Sequence, residues 1–359
     1  MTETVTDPVT ARTARTEGAT GVTGVIWLVR RQQRAFLWTF AALVVALAGY
    51  IVWQRVEMVG YLRDHGIDGC ADWRTYCRGK RISASVRGSG PLADAYFHVY
   101  DVYRPRLLNT GWLLLALPVV AGIFVGAPLI ARELESGTYR LVWTQSVSRP
   151  RWLAARLALP ATALVVGTAV LAALYTWWWR TARAITVTDV AWGTSVPFDA
   201  SGPALVSLTV LCFLIGAALG LVIRRTLPAM AATLAATVGV LYGLSALRPY
   251  LMPTRTMVSD ADGDFGAIPQ HVFYTSWRGM DNGYLTRTGQ KIPWDRCSMD
   301  DWAAWNRCLA RLGATKRGYE EFHPASHFWP LQWIETGICL AAALALAAFC
   351  AWWIRRRPA

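Results

Sequence analysis

Of the 359 residues, 54% are hydrophobic and 16% are charged, where a soluble globular chain carries roughly 25% charge. That balance, with 19 tryptophans, excludes an ordinary water-soluble domain. The net charge of +13 invites a nucleic-acid reading, so its distribution along the chain has to be settled before it is given a meaning.

In chain order, residues 1–23 are polar and without pattern, and read as a disordered cytoplasmic tail. No short apolar core with a small-residue cleavage site follows, so a signal peptide is not expected. From Gly24, apolar Val25, Ile26, Leu28 and Val29 stand beside Arg30, Arg31 and Arg34, which suits an interfacial helix over 24–34. Apolar runs of about 20 residues then mark six transmembrane helices. They are Ala35–Trp53, Gly111–Ile130, Leu153–Trp177, Pro203–Ile223, Ala229–Leu247 and Leu331–Trp353. Lipid cannot satisfy a bare backbone, so these are helices and the fold class is an all-α polytopic membrane protein.

With the N-terminus inside, residues 1–34, 131–156, 224–228 and 354–359 form the cytoplasmic side and hold 15 Lys/Arg against 5 Asp/Glu. The opposite side (54–110, 178–202 and 248–330) holds 21 against 17. Retention of positive flanks in the cytoplasm therefore puts both termini inside a plasma membrane, and the charge is a topology signal with no nucleic-acid partner implied. Trp53, Trp112, Trp177–Trp179, Trp329 and Trp333 cluster at one set of helix ends, and Trp38, Trp152, Trp352 and Trp353 at the other, as interfacial belts do.

The loops carry the rest of the signal. Residues 54–110 are too long for a simple connection, and His98 within Asp94–Asp101 reads as a packed or solvated histidine rather than a metal ligand. In the hairpin 131–152, Gly137 is the residue type that ends a helix in the left-handed conformation. Thr138 can then cap a short amphipathic helix to Trp143 bearing Tyr139, and Ser148 can cap the next helix, with Pro150 in its first turn. Residues 224–228 make a tight inner turn. In the fourth span Gly216 and Gly220 form a Gly-x-x-x-Gly pair that permits close helix approach, within the chain or between copies. Residues 248–330 read as an external cap domain, with a helix from Ser298 to about Leu312.

Cys212, Cys339 and Cys350 fall in spans, whereas Cys70, Cys77, Cys297 and Cys308 fall in the two large external loops, where disulfides form. Three connectivities are open. No tight Cys-x-x-Cys pair points to a metal.

Glu335 is the one acidic residue inside a span and needs a partner, for which Arg248 at the end of the fifth span is the candidate. The pair either ties the cap to the bundle or lines a substrate path, with Gln332 and Tyr242 as further path candidates. No phosphate-binding Gly-x-x-x-x-Gly-Lys-Ser/Thr loop occurs, so ATP is not hydrolysed by this chain.

The string Glu133-x-Glu135-x-Gly137-Thr138, with Leu141 and then Thr144-Gln145-Ser146-Val147-Ser148-Arg149-x-Arg151-Trp152-Leu153, resembles the first cytoplasmic loop of ABC-2 type transporter permeases, the actinobacterial branch in particular. Trp27-Leu28 with Arg31-Gln32-x-Arg34 is similar to the leading motif of that family, although Arg30 stands where a tryptophan is expected. Arg248-Pro249-Tyr250 through Pro253 and Pro324-Ala325-Ser326-x-Phe328-Trp329-Pro330-x-Gln332-x-Ile334-Glu335 continue the likeness. The resemblance implies a cytoplasmic coupling helix in the 131–152 loop. Glu133, Glu135, Gly137, Thr138, Tyr139, Leu141, Thr144, Arg149 and Arg151 would contact a separate ABC ATPase subunit. ATP and magnesium would reside on that subunit, this chain binding no cofactor. A second permease copy, identical or related, and membrane lipid would complete the assembly, which would be an exporter. Two other readings stay open: a membrane enzyme using His271, His323 and His327 of the external domain, and a non-transporting sensor or assembly factor with the same fold.

Overall fold

A computed structural model describes residues 17–67, 76–77, 80–81, 91–137, 149–183, 190, 192–193, 195–259, 276–297 and 301–356. Among them six helices are long and apolar enough to cross a membrane: Gln33–Asp64, Asp94–Ser136, Leu153–Ala182, Gly202–Ile223, Thr226–Tyr250 and Ala325–Arg356. The membrane-spanning part is therefore all-helical.

Several boundaries move. The first helix runs unbroken over Glu17–Asp64, so no turn separates the expected interfacial segment 24–34 from the first span, and residues 17–23 are helical rather than disordered. With no proline in this stretch, the backbone ladder simply propagates. Both ends of the expected 54–110 loop are also helical. Ile51, Met58 and Leu62 on the first helix meet Tyr96, Val99, Tyr103 and Leu107 on the second in one buried cluster. That spacing gives each helix an apolar face beyond the hydrocarbon boundary. The second span is locally widened at Val99–Tyr103 and Ala121–Gly126, the latter just after Pro118, whose missing N–H breaks the regular ladder.

The fourth span is the hub, with the second, third, fifth and sixth packing around it, while the first packs against the third. It crosses the second span at contact distance. A Cβ on Gly216 would sit 2.2 Å from the Gly122 carbonyl oxygen, and one on Gly126 would sit 2.3 Å from that of Phe213. The Gly-x-x-x-Gly pair is thus spent inside the chain, backbone against backbone. The first and fifth spans are peripheral, with 11% of their apolar windows buried against 61% for the fourth.

Residues 255–323 bring a sheet that the sequence reading does not anticipate. Strands β3 (Arg255–Val258), β4 (Trp277–Thr286), β5 (Lys291–Pro293) and β6 (Ala314–His323) pair antiparallel in the order β3-β6-β4-β5; β1 (Tyr76–Cys77) and β2 (Lys80–Arg81) form a separate two-residue ladder. Strand β4 shifts register between Trp277 and Asp281 and again near Thr286, which destroys the alternation that marks a strand in sequence. Helix Trp302–Arg311 is capped by Asp301, whose carboxylate accepts from the Ala303 and Ala304 amides, so the cap is not Ser298, which lies outside the described residues. Cys297 and Cys308 form a disulfide that pins this helix to the turn after β5. Cys77 is in β1, and Cys70 lies outside the described residues.

The crossing of the second and fourth spans yields a direct test. Gly216→Leu should destabilise the detergent-solubilised protein by about 3 kcal/mol or more, the upper range for overpacking, because backbone cannot step aside. Gly239→Leu on the fifth span, where a Cβ meets nothing within 4 Å, should leave the thermal unfolding midpoint unchanged.

Candidate functional site

The helix of the fifth span ends at Leu247, and Arg248 opens a short 3-10 turn with Pro249 and Tyr250. Arg248 is only 2% exposed. Its Nε donates to Glu335 Oε1 at 2.6 Å and its Nη2 to Oε2 at 3.1 Å, a two-point clasp between the fifth and sixth spans. The same Nη2 also donates to Asp199, the last residue of the short helix Ser195–Asp199. The Phe198 ring lies 4.0 Å from the guanidinium carbon.

One turn before Glu335, fully buried Gln332 donates from Nε2 to the Phe198 carbonyl at 2.6 Å and accepts from the Ala204 amide at 3.1 Å. Thr176 of the third span accepts from the Gly202 amide at 3.1 Å. The first amides of a helix have no partner within it. Side chains of the third and sixth spans supply those partners for the fourth.

One cation between two carboxylates leaves a net negative charge in a place poor in water. Burial accordingly raises the Asp199 carboxyl to about 6, the Glu335 charge adding to the shift and Arg248 opposing it. Chemically, the cluster can hold charge and take up a proton.

The opposite ends of the helices carry the second set of expected residues. Gly137 has φ 71°, the left-handed helix end that its position predicts. Glu135 Oε2 accepts from the Thr226 amide at 2.9 Å and its hydroxyl at 2.6 Å, capping the fifth span just after Arg224, itself left-handed at φ 59°. Glu133 pairs with Arg156 of the third span. Gln33 of the first helix donates to the Arg156 carbonyl at 3.2 Å. Arg149 and Arg151 open the helix Arg149–Ala182, while Thr138, Tyr139, Leu141 and Thr144 lie outside the described residues.

The remaining candidates separate. Tyr242 is 76% exposed on the fifth span and does not join the Arg248 cluster. His323 Nε2 lies 3.1 Å from the Pro249 carbonyl, which only accepts, so that nitrogen carries the proton. His323 Nδ1 then accepts from His327 Nδ1 at 3.1 Å, and burial lowers the His323 pKa. His271 lies outside the described residues, among which no group of three His, Cys, Asp or Glu side chains could hold a metal ion. Asp199 escaped the sequence reading because it falls in the expected external loop 178–202, outside every span, although the structure makes Ser195–Asp199 a short helix. The available signal was an acid four residues before Pro203, at the same end of the bundle as Arg248 and Glu335.

Set against known families, residues 41–248 match the family described as ABC-2 membrane transporter related. No curated protein and no solved structure matches the chain.

The cluster predicts opposite outcomes for its members. Arg248→Met leaves two buried carboxylates unpaired and should cost about 3–5 kcal/mol. Asp199→Asn keeps an acceptor and removes the excess charge, so it should be neutral or stabilising at about pH 7. The Asp199 carboxyl binds its proton more tightly folded, at about 6, than unfolded, at about 3.9. Its contribution to stability therefore grows as pH falls from about 6 to about 4 and is lost as pH rises through 6. Thermal unfolding of the two proteins across that window should show this slope in the wild type and its loss in Asp199→Asn.

Proposed function

The chain belongs to the ABC-2 membrane transporter related family, and from that premise we propose that it is the membrane subunit of an ATP-driven exporter, moving a small or lipid-like molecule with energy supplied by a separate ATPase subunit. The observation that carries the reading is the family match across the first five spans. A permease of this kind generally works with an ATPase partner, which would hold the ATP and magnesium. The excess of Lys/Arg in 1–34, 131–156, 224–228 and 354–359 supports a plasma-membrane orientation with these segments and both termini in the cytoplasm.

In this reading the 132–152 loop receives the push of the closing ATPase. Its stem is well placed for that. Glu135 is bonded to the head of the fifth span and Glu133 to the third, so displacement of the stem is passed to both without slack. The bundle would then exchange two arrangements, the loop biasing an equilibrium felt at the far ends of the helices. The little-buried first and fifth spans are the faces on which a second permease copy would pack.

Affinity purification in mild detergent, followed by identification of co-purifying proteins and assay of ATP turnover, tests the reading. A soluble ATPase at about equal stoichiometry is expected. Thr138→Trp should lose it while keeping the wild-type unfolding midpoint. Glu135→Arg should also lose it, with a lower midpoint because the Thr226 cap goes too. Wild-type association and turnover in both variants would remove the coupling assignment.

A further inference from the structure

Between the third, fourth and sixth spans lies a cleft of about 650 Å³, open along one side. Its walls are Val165, Ala169, Ala173, Val206, Val210 and Leu340. At the end nearer the sheet, Arg180, Trp177 and Trp329 form its mouth, the Arg180 guanidinium lying 5.5 Å from the Trp329 ring centre. Among the described residues Arg180 makes no ion pair. Arg183, one turn further on, lies over the Trp179 ring and does not line the cleft. Part-way down, the wall includes Thr176, Ser207 and Thr336. Thr176 and Ser207 donate to the carbonyls of Ala172 and Ala204.

The dimensions narrow the occupant. From Arg180 to Val165 the third span rises about 22 Å, more than half of the roughly 30 Å hydrocarbon core. At about 30 Å³ for a water-sized group, which a methylene approximates, the volume takes one chain of about twenty carbons and not two. A cation beside the Trp329 indole at the mouth, without an ion-pair partner among the described residues, stands above apolar walls and complements a negative head on an apolar tail.

We propose that the cleft binds one acyl chain of an anionic amphiphile, with its head at Arg180 and its tail running between the third, fourth and sixth spans. The proposal names a substrate class for the transport reading and rests on that reading for movement, but binding itself requires neither ATP nor a partner. Failure of binding therefore leaves the permease reading standing, and absence of an ATPase leaves binding untouched.

The test is a titration of the purified full-length protein in uncharged detergent, read by native mass spectrometry. The probes are lysophosphatidylglycerol, lysophosphatidylcholine and diacyl phosphatidylglycerol. Lysophosphatidylglycerol should bind about fivefold more tightly than the choline form, the factor expected from one interfacial arginine against an anionic head. Arg180→Gln should abolish that preference and retain chain binding. Ala169→Trp, which fills the cleft from an exposed position, should lose both ligands while the unfolding midpoint stays at its wild-type value. Diacyl phosphatidylglycerol binding as well as its lyso form would keep the anionic acyl site and assign it to a lipid of the surrounding bilayer. Equal affinity for the two lyso lipids in the wild type, or undiminished binding by Ala169→Trp, would overturn the proposal.

Discussion

A guanidinium withdrawn from water is tolerable only where other groups take over from the solvent, and Arg248 finds two carboxylates and an aromatic face. The consequence is architectural. Asp199 belongs to the segment before the fourth span, Glu335 to the sixth, and Arg248 itself to the turn that leads into the sheet. One side chain therefore sets the spacing of three elements that share no local sequence, and Gln332 beside it closes the start of the hub helix. The sheet depends on this point as well, because His323 at the end of β6 bonds the carbonyl of Pro249.

The opposite side of the bundle is built on weaker and more exposed bonds. Glu135 and Thr226 meet at the surface, and the Glu133–Arg156 pair is partly open to solvent. Surface ion pairs and caps contribute of the order of 1 kcal/mol each, whereas breaking a buried pair costs several times more. The molecule is thus firmly tied near the sheet and more yielding near the termini. That asymmetry suits a permease in which a partner acts on the yielding end and the helices tilt about the firm one. The proposed acyl cleft has its mouth at the firm end and its floor toward the middle of the spans, so a tilt of the third or sixth span changes its width while leaving Arg180 near the interface.

What could be read from the sequence was what local chemistry dictates. Six apolar runs of membrane length need no partner to be recognised, because the bilayer punishes any unpaired backbone wherever it occurs. Gly137 announced a helix end through its own φ, and a lone carboxylate in a span demanded a cation, which made Arg248 and Glu335 a pair before any coordinate. Tertiary structure decided everything that requires two distant segments to meet. Asp199 became part of the cluster only by the return of the fourth span beside the fifth and sixth. The Gly216 pair found the second span of its own chain rather than another copy. Strands β4 and β6 are polar, glycine-containing and bulged, so their alternation is lost and only mutual pairing makes them strands. The cleft, finally, is lined by valine and alanine that in sequence are indistinguishable from packing residues, and the space between three helices is a property of their arrangement alone.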